Sequence, residues 1–166
     1  MSSENNLKEA FAGESQANRK YLAFAKKAEQ EGFKQAAKLF RAAAEAENVH
    51  ALNHLLVLGT VKSTKENLQE AINGETYEFT EMYPKMISEA ENENNTPAKI
   101  SFSKANAVEK IHSMLYKKAL EQVKKGNDLK EEDIYVCQIC GHTAEGEAPN
   151  KCPVCGANKD KFKKIE

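Results

Sequence analysis

Glu47-Asn48-Val49-His50 and Glu109-Lys110-Ile111-His112 are the two stretches that decide the fold of this chain. Each places an acid and an imidazole three residues apart, on one face of a helix and one turn from each other. Three more glutamates, Glu14, Glu75 and Glu78, lie in two further helical stretches. Burying even one carboxylate without a neighbouring cation costs on the order of several kcal/mol. The seven side chains therefore predict an all-α four-helix bundle closed around two metal ions.

The helical part of the sequence is internally doubled. Gly13-Glu14 precedes Glu47 by 33 residues, and Gly74-Glu75 precedes Glu109 by 34 residues. Two helix pairs of the same design predict a pseudo-two-fold site with one metal ion for each half. Carboxylate and imidazole ligands together suit iron, manganese or zinc.

The doubling also predicts a role for each ligand. Glu47 and Glu109 each share a motif with a histidine and come from opposite halves, so we expect them to bridge the two ions. The remaining ligands divide between the ions, with Glu14 and Glu75 as terminal carboxylates and His50 and His112 as one imidazole each. Glu78 has no counterpart, because Ala17 stands at the matching position of the first half. We expect a lopsided site in which Glu78 and His50 compete for one metal ion.

Helical periodicity extends from residue 4 to residue 125 in four blocks. Three blocks end at glycines, which are Gly32, Gly59 and Gly126. The first block begins near Ser3 as N-cap, the third begins at a capping box on Ser63, and the last begins at Thr96-Pro97 with Thr96 as N-cap. Pro84 lies inside the third block and is expected to kink it, because proline removes a backbone donor.

All four cysteines lie near the carboxyl end, in Cys137-Gln138-Ile139-Cys140 and Cys152-Pro153-Val154-Cys155. Two such pairs, each followed by glycine, predict a tetrahedral thiolate site for zinc or iron, and the spacing does not separate the two metals. Gly141 and Gly156 allow sharp turns that aim backbone N–H groups at sulfur. Because four cysteines complete a tetrahedron, we expect His142 to be an exposed loop residue.

The composition excludes several classes of partner. The 166 residues include 24 basic and 25 acidic side chains, and the formal charge of -1 argues against a nucleic-acid partner. No run approaches the roughly 18 apolar residues that a membrane span needs. The first six residues lack a secretory signal pattern, so a cytoplasmic location is expected.

In combination, these motifs resemble the rubrerythrin family. The resemblance rests on residues 10–17, on residues 74–84, on both Glu-x-x-His motifs and on Cys-Pro-Val-Cys-Gly at 152–156. It implies a ferritin-like diiron bundle over residues 1–126 and a rubredoxin-like iron domain with four cysteines over residues 135–166, with 127–134 as a linker. It also implies reduction of hydrogen peroxide to water, with electrons from an external donor such as a rubredoxin or a reductase.

The resemblance further implies the complete ligand set. The diiron ligands would be Glu14, Glu47, His50, Glu75, Glu78, Glu109 and His112, and the single iron would be held by Cys137, Cys140, Cys152 and Cys155. In the family, one iron is thought to shift between a carboxylate and a histidine. The corresponding pair here is Glu78 and His50, the two residues that the doubling argument places in competition.

The connection between the second and third helices predicts how the bundle is assembled. In a ferritin-like bundle these helices run parallel, yet the second ends near Leu58 and the third begins near Ser63. Continuous helix beyond His50 and before Glu75 separates those ends by roughly 30 Å at about 1.5 Å per residue. Five or six residues reach only about 20 Å. Either residues 64–73 form an extended crossover, or the chain forms a domain-swapped homodimer; the capping box favours helix and hence the dimer.

Two other functions compete with a peroxide-reducing oxidoreductase. A ferritin-like protein for iron oxidation and storage would use the same carboxylates, although it needs no dedicated electron relay. A zinc-ribbon protein whose bundle binds partners would need only the cysteines. Iron content and sustained peroxide turnover distinguish the three.

Overall fold

The computed structural model describes residues 2–166, and most of them are helical. The helices are α1 (Ser3–Gln30), α2 (Lys34–Leu58), α3 (Thr64–Tyr77), α4 (Tyr83–Asn92) and α5 (Thr96–Lys124). The strands are β1 (Ile134–Cys137), β2 (Thr143–Glu145) and β3 (Phe162–Ile165). The helices precede a small region of three strands that carries all four cysteines, and this mostly helical fold class is the one that the sequence predicts. The chain divides into two compact units, the first ending at Lys62 and the second running from Ser63 to Glu166.

The first unit is a hairpin of α1 and α2. Small residues form its interior, where Ala25, Ala37 and Ala44 are buried almost completely and allow the two backbones to approach closely. Asn18 crosses between the helices and donates its amide to the Ala44 carbonyl at 2.7 Å. Gly59 ends α2 with φ of +65°, as the sequence predicts.

The predicted helix starts are partly wrong by one residue. The N-cap of α1 is Ser2, whose hydroxyl accepts from the Asn5 N–H at 3.2 Å, and Ser3 is the first helical residue. The N-cap of α5 is Asn95 rather than Thr96, because the Asn95 amide oxygen accepts from Ala98 N–H at 3.2 Å. In both places two adjacent residues are good caps, so local sequence does not choose between them.

In the second unit, α3 and α4 pack along α5 and are joined by a π-helical segment, Glu78–Met82. Pro84 has no N–H for the Thr80 carbonyl, and the Tyr83 N–H bonds to the Glu78 carbonyl five residues back. The irregularity expected at Pro84 therefore takes the form of a widened turn that contains Glu78.

The strands form one antiparallel sheet with the order β2-β1-β3. Tyr135 on β1 is opposite Ala144 on β2 and Lys164 on β3. The division into a bundle, a linker at 127–134 and a metal domain stays a prediction. Across the described residues 2–166, no helix combines the length and apolar character needed to cross a membrane.

Ser63→Ala tests the capping box that begins α3. The Ser63 side chain accepts from the Glu66 N–H, and the Glu66 carboxylate accepts from the Ser63 N–H at 3.2 Å. Loss of the hydroxyl is expected to cost about 1 kcal/mol of unfolding free energy, measured by urea denaturation. Ser88→Ala, at an exposed position of α4, is the matched control and should cost nothing. Equal stability of the two variants would contradict the role of the cap.

Candidate metal centres

Helices α1 and α2 bring Glu14, Glu47 and His50 together in the first unit. One ligand atom from each lies within 4.8 Å of the others. The Nδ1 atom of His50 is 2.9 Å from Oε2 of Glu47, as expected for side chains one helical turn apart. The Glu47 side chain is mostly covered, whereas 54% of the His50 side chain is exposed. This group offers two carboxylates and one imidazole to a single cation.

Helices α3 and α5 form a second group of the same composition, Glu75, Glu109 and His112. Its three ligand atoms also lie within 4.8 Å of one another. Nδ1 of His112 is 2.8 Å from Oε2 of Glu109 and 3.9 Å from Oε1 of Glu75. All three side chains are half-buried. The structure thus brings six of the seven predicted ligands together in two groups of three, and their union in one site stays a prediction.

Glu78, the seventh predicted ligand, lies outside these two groups but close to the second. Burial raises its pKa, and the Glu75 carboxylate raises it further. The pKa of Glu75 is raised by burial first and by Glu109 second. Burial and the carboxylates of Glu78, Glu109 and Glu75 also raise the pKa of the Tyr83 phenol. The second unit therefore concentrates negative charge in partly desolvated surroundings, which is the environment that a bound cation stabilises.

The four cysteines converge as the sequence predicts. All four are free thiols whose sulfur atoms lie within 4.8 Å of one another. The Sγ atoms of Cys137 and Cys155 are 3.7 Å apart, and those of Cys140 and Cys152 are 3.5 Å apart. A tetrahedral ion with metal–sulfur bonds of about 2.3 Å requires sulfur separations of about 3.8 Å. The four thiols therefore fit a tetrahedral metal ion.

Backbone N–H groups surround the sulfur atoms at the two turns. The donors to Cys137 are Ile139 and Cys140, the donor to Cys140 is His142, and the donor to Cys155 is Ala157. Gly141 and Gly156 make these turns possible, with φ of +87° and +74°. Such N–H groups stabilise thiolate charge and hold the sulfur atoms in place.

The cysteines differ in how readily they ionise. Burial acts to raise the pKa of Cys137, but the Ile139 and Cys140 N–H groups and the neighbouring thiols together outweigh burial, and the net pKa lies below the ordinary value. Burial raises the pKa of Cys140 and of Cys155. Four thiolates at this spacing consequently need a cation, and metal binding must displace protons.

His142 corrects one expectation, because it is buried rather than exposed. Only 9% of it is accessible, and its ring packs edge-on against Phe162 with centroids 6.2 Å apart. Burial lowers its pKa, and the neighbouring His112 lowers it further. His142 lies on the loop between Cys140 and β2. This loop packs against α5 near Val108, so it does not face solvent.

Sequence reasoning missed Thr143. Its hydroxyl Oγ1 is 3.0 Å from Nε2 of His112. The two residues are 31 positions apart and belong to separate motifs, so no periodicity or spacing in the sequence connects them.

Paired Glu-x-x-His helices followed by a four-cysteine ribbon define a class, the diiron carboxylate proteins with an attached rubredoxin-like iron site. The family model described as rubrerythrin matches residues 5–120, and the one described as the rubrerythrin rubredoxin-like domain matches residues 135–163. The chain belongs to the rubrerythrin family.

Similar proteins match over nearly the whole chain. Rubrerythrin-2 of Clostridium acetobutylicum is 36% identical, over 94% of this chain and 92% of the relative. Nigerythrin of Nitratidesulfovibrio vulgaris is 39% identical, over 95% of this chain and 83% of the relative. A solved structure of nigerythrin in a mixed-valence state is 35% identical, with a TM-score of 0.59 and coverage of 99% of this chain and 87% of that one.

Family membership and the donor groups agree on the cofactors. The chain has a non-haem diiron site in its helical part and one iron in the four-cysteine site. Carboxylate oxygen and imidazole nitrogen suit iron in the helical part, and thiolates suit iron at the ribbon.

Glu75→Gln should stabilise the metal-free protein at pH 7. The pKa of Glu75 is raised in the folded state, so its ionisation above the ordinary value of 4.5 opposes folding. Glutamine removes this cost, so the urea midpoint should rise at pH 7, and the gain should disappear as the pH falls below about 4. Glu81→Gln, at an exposed position of the π-helical segment, should change the midpoint at neither pH. A lower midpoint for Glu75→Gln at pH 7 would contradict the electrostatic account.

Proposed function

We propose that this protein is a non-haem iron peroxidase that reduces hydrogen peroxide to water in oxidative-stress defence in the cytoplasm. The observation that carries the proposal is the direct contact, within the second unit, between a half-site of carboxylates and imidazole and the four-cysteine module. His112 and Thr143 make this contact at 3.0 Å. An oxidoreductase needs such proximity to move electrons, whereas an iron store or a structural zinc ribbon does not.

The chemistry follows from electron counting. Peroxide accepts two electrons, and a diiron pair supplies both together, which avoids the one-electron step that releases hydroxyl radical. Glu47 and Glu109 are proposed to bridge the pair, with Glu14, Glu75, Glu78, His50 and His112 as the remaining ligands and as the catalytic set. Glu78 and His50 are the two residues that would hold the same iron, because Glu78 has no counterpart in the first half of the sequence.

Protons are the second requirement, since forming two waters from peroxide consumes two of them. Glu78 and Tyr83 both have raised pKa values and lie close to Glu75. Each therefore retains its proton at higher pH than an ordinary residue of its type. Because Glu78 is one of the proposed ligands, we propose the Tyr83 hydroxyl as the group that holds a proton near the reacting oxygen atoms.

Cys137, Cys140, Cys152 and Cys155 would hold an iron ion whose chemistry supplies electrons to the bundle one at a time. Its own electrons would come from an external donor such as a rubredoxin or a reductase. Ile139 lies between Cys137 and Cys140, and 51% of its surface is accessible. It offers an apolar contact for such a donor.

We also propose that the protein is a domain-swapped homodimer in which α1 and α2 of one chain complete a bundle with α3 and α5 of the other. The alternative in which residues 64–73 form an extended crossover does not fit, because these residues lie in α3, which begins at Thr64. Between Leu58 and Thr64 only five residues remain. They reach about 20 Å, against the roughly 30 Å that a parallel arrangement within one chain requires.

The surface of α2 supports the same assembly. Several of its large apolar side chains are exposed in the chain, namely Leu39, Val49, Leu52, Leu56 and Val57. A contiguous apolar helix face in water marks an interface. A second copy is the proposed occupant, because each unit carries half of the ligand set and the five-residue connection is too short to join the two halves within one chain.

Cys152→Ser tests the relay. The variant should lose the iron of the four-cysteine site and its visible colour while the bundle stays folded, so peroxide turnover with a protein donor should fall at least about tenfold. The control is Gln138→Ala, which changes an exposed residue between Cys137 and Cys140 and keeps all four sulfur atoms. Full turnover by Cys152→Ser would refute the relay. A wild-type protein that consumes only one equivalent of peroxide would favour iron storage instead.

Mixing two inactive variants tests the domain swap. Glu47→Ala and Glu109→Ala should each abolish turnover by removing a bridge. In a swapped heterodimer, one site receives both substitutions and the other receives neither. Co-expression should then restore about a quarter of the wild-type sites.

The control for this experiment is co-expression of Glu47→Ala with Glu14→Ala. Both changes lie in the first unit, so every site of every dimer is damaged and no activity should return. Failure of the Glu47→Ala and Glu109→Ala pair to regain activity, with heterodimers demonstrated by differential tags, would contradict the swap.

A further inference from the structure

Thr143, the first residue of β2, lies between the two kinds of metal ligand in the second unit. Its Oγ1 atom is 3.0 Å from Nε2 of His112 and 3.3 Å from the carbonyl oxygen of Gly141. Gly141 directly follows Cys140 in the four-cysteine site. Through this hydroxyl, the imidazole is joined to the loop that carries a thiolate ligand.

Other contacts fix the position of this hydroxyl on α5. A Cβ atom built on Gly141 would lie 3.6 Å from Cγ1 of Val108, so the loop backbone runs close to the helix. Two residues beyond Thr143, Glu145 accepts from Lys118 of α5 at 2.7 Å. Val108, His112 and Lys118 therefore meet successive parts of the same chain segment. Thr143 is held against the imidazole by contacts on both sides.

The two hydrogen bonds of the Thr143 hydroxyl indicate which nitrogen of the His112 ring carries a proton. A threonine hydroxyl has one proton, and Thr143 donates it to the Gly141 carbonyl. Oγ1 must then accept from His112, so the ring carries its proton on Nε2. Nδ1 lies 2.8 Å from Oε2 of Glu109, a contact that requires a proton on one of these two atoms in the metal-free protein. A metal ion at Nδ1 would displace that proton, while the ring keeps its Nε2 proton in the hydrogen bond to Thr143.

We propose that Thr143 is a positioning residue for the bundle metal site, which fixes His112 in the Nε2–H tautomer and in the ring orientation that presents Nδ1 to the metal. The inference rests on the proposed ligand role of His112. In the described part of the chain, His50 has its ring hydrogen bond with Glu47 and no counterpart of Thr143. The two imidazoles are therefore held unequally within the chain.

The test compares Thr143→Val with Thr143→Ser in the full chain loaded with Zn²⁺, a diamagnetic probe. Valine matches the shape of threonine, suits a strand and removes the hydroxyl, whereas serine keeps it. In ¹⁵N NMR spectra, the Nε2–H of His112 should exchange slowly in the wild type and the serine variant. In the valine variant the exchange should be at least about tenfold faster, and Zn²⁺ affinity of the bundle should fall about 10–100-fold.

Three internal controls make the outcome specific. Zn²⁺ affinity of the four-cysteine site and the signals of His50 should not change in the valine variant, and Thr143→Ala should repeat its effects if the valine protein folds poorly. Unchanged exchange and affinity in Thr143→Val would overturn the proposal and leave the proposed function standing. A wild-type bundle that takes up no Zn²⁺ would overturn both.

Discussion

The repulsion among half-buried carboxylates is the constraint on which the rest of this structure depends. In the second unit, Glu75, Glu78 and Glu109 share partly desolvated surroundings, and the pKa values of Glu75 and Glu78 are raised by burial and by carboxylate neighbours. Such a cluster opposes folding unless cations occupy it. The imidazole of His112 is too little compensation for three acids. Metal binding therefore relieves this repulsion and stabilises the fold at the residues that form the metal site.

The metal ligands form two groups of the same composition, and each group is assembled within one unit of the chain. Each group needs only two helices of its unit, one with a lone glutamate and one with Glu-x-x-His. Small residues such as Ala37 and Ala44 bring the backbones of the first pair together. The remaining apolar face of α2 has no role within its own hairpin. In the proposed dimer, a partner with the complementary half of the ligands would cover that face.

Local physics made much of this architecture predictable from the sequence. The helix ends at Gly59 and at the Ser63 capping box depend on backbone conformation and neighbouring side chains, and both are where the sequence predicts. The turns after the cysteine pairs are equally local. Burial of His142 and the hydrogen bond from His112 to Thr143 depend instead on how the four-cysteine loop packs on α5, and no pattern within either segment encodes that packing. The π-helical segment is intermediate, since Pro84 predicts a disturbance and not its form.

The metal content of anaerobically purified protein, with Mössbauer spectroscopy of the iron, tests the central claim most directly. The account predicts about three irons per chain, two in a spin-coupled pair with oxygen and nitrogen ligands and one with four thiolates. One metal ion per chain, bound by the cysteines alone in a folded protein that cannot be loaded further, would contradict it.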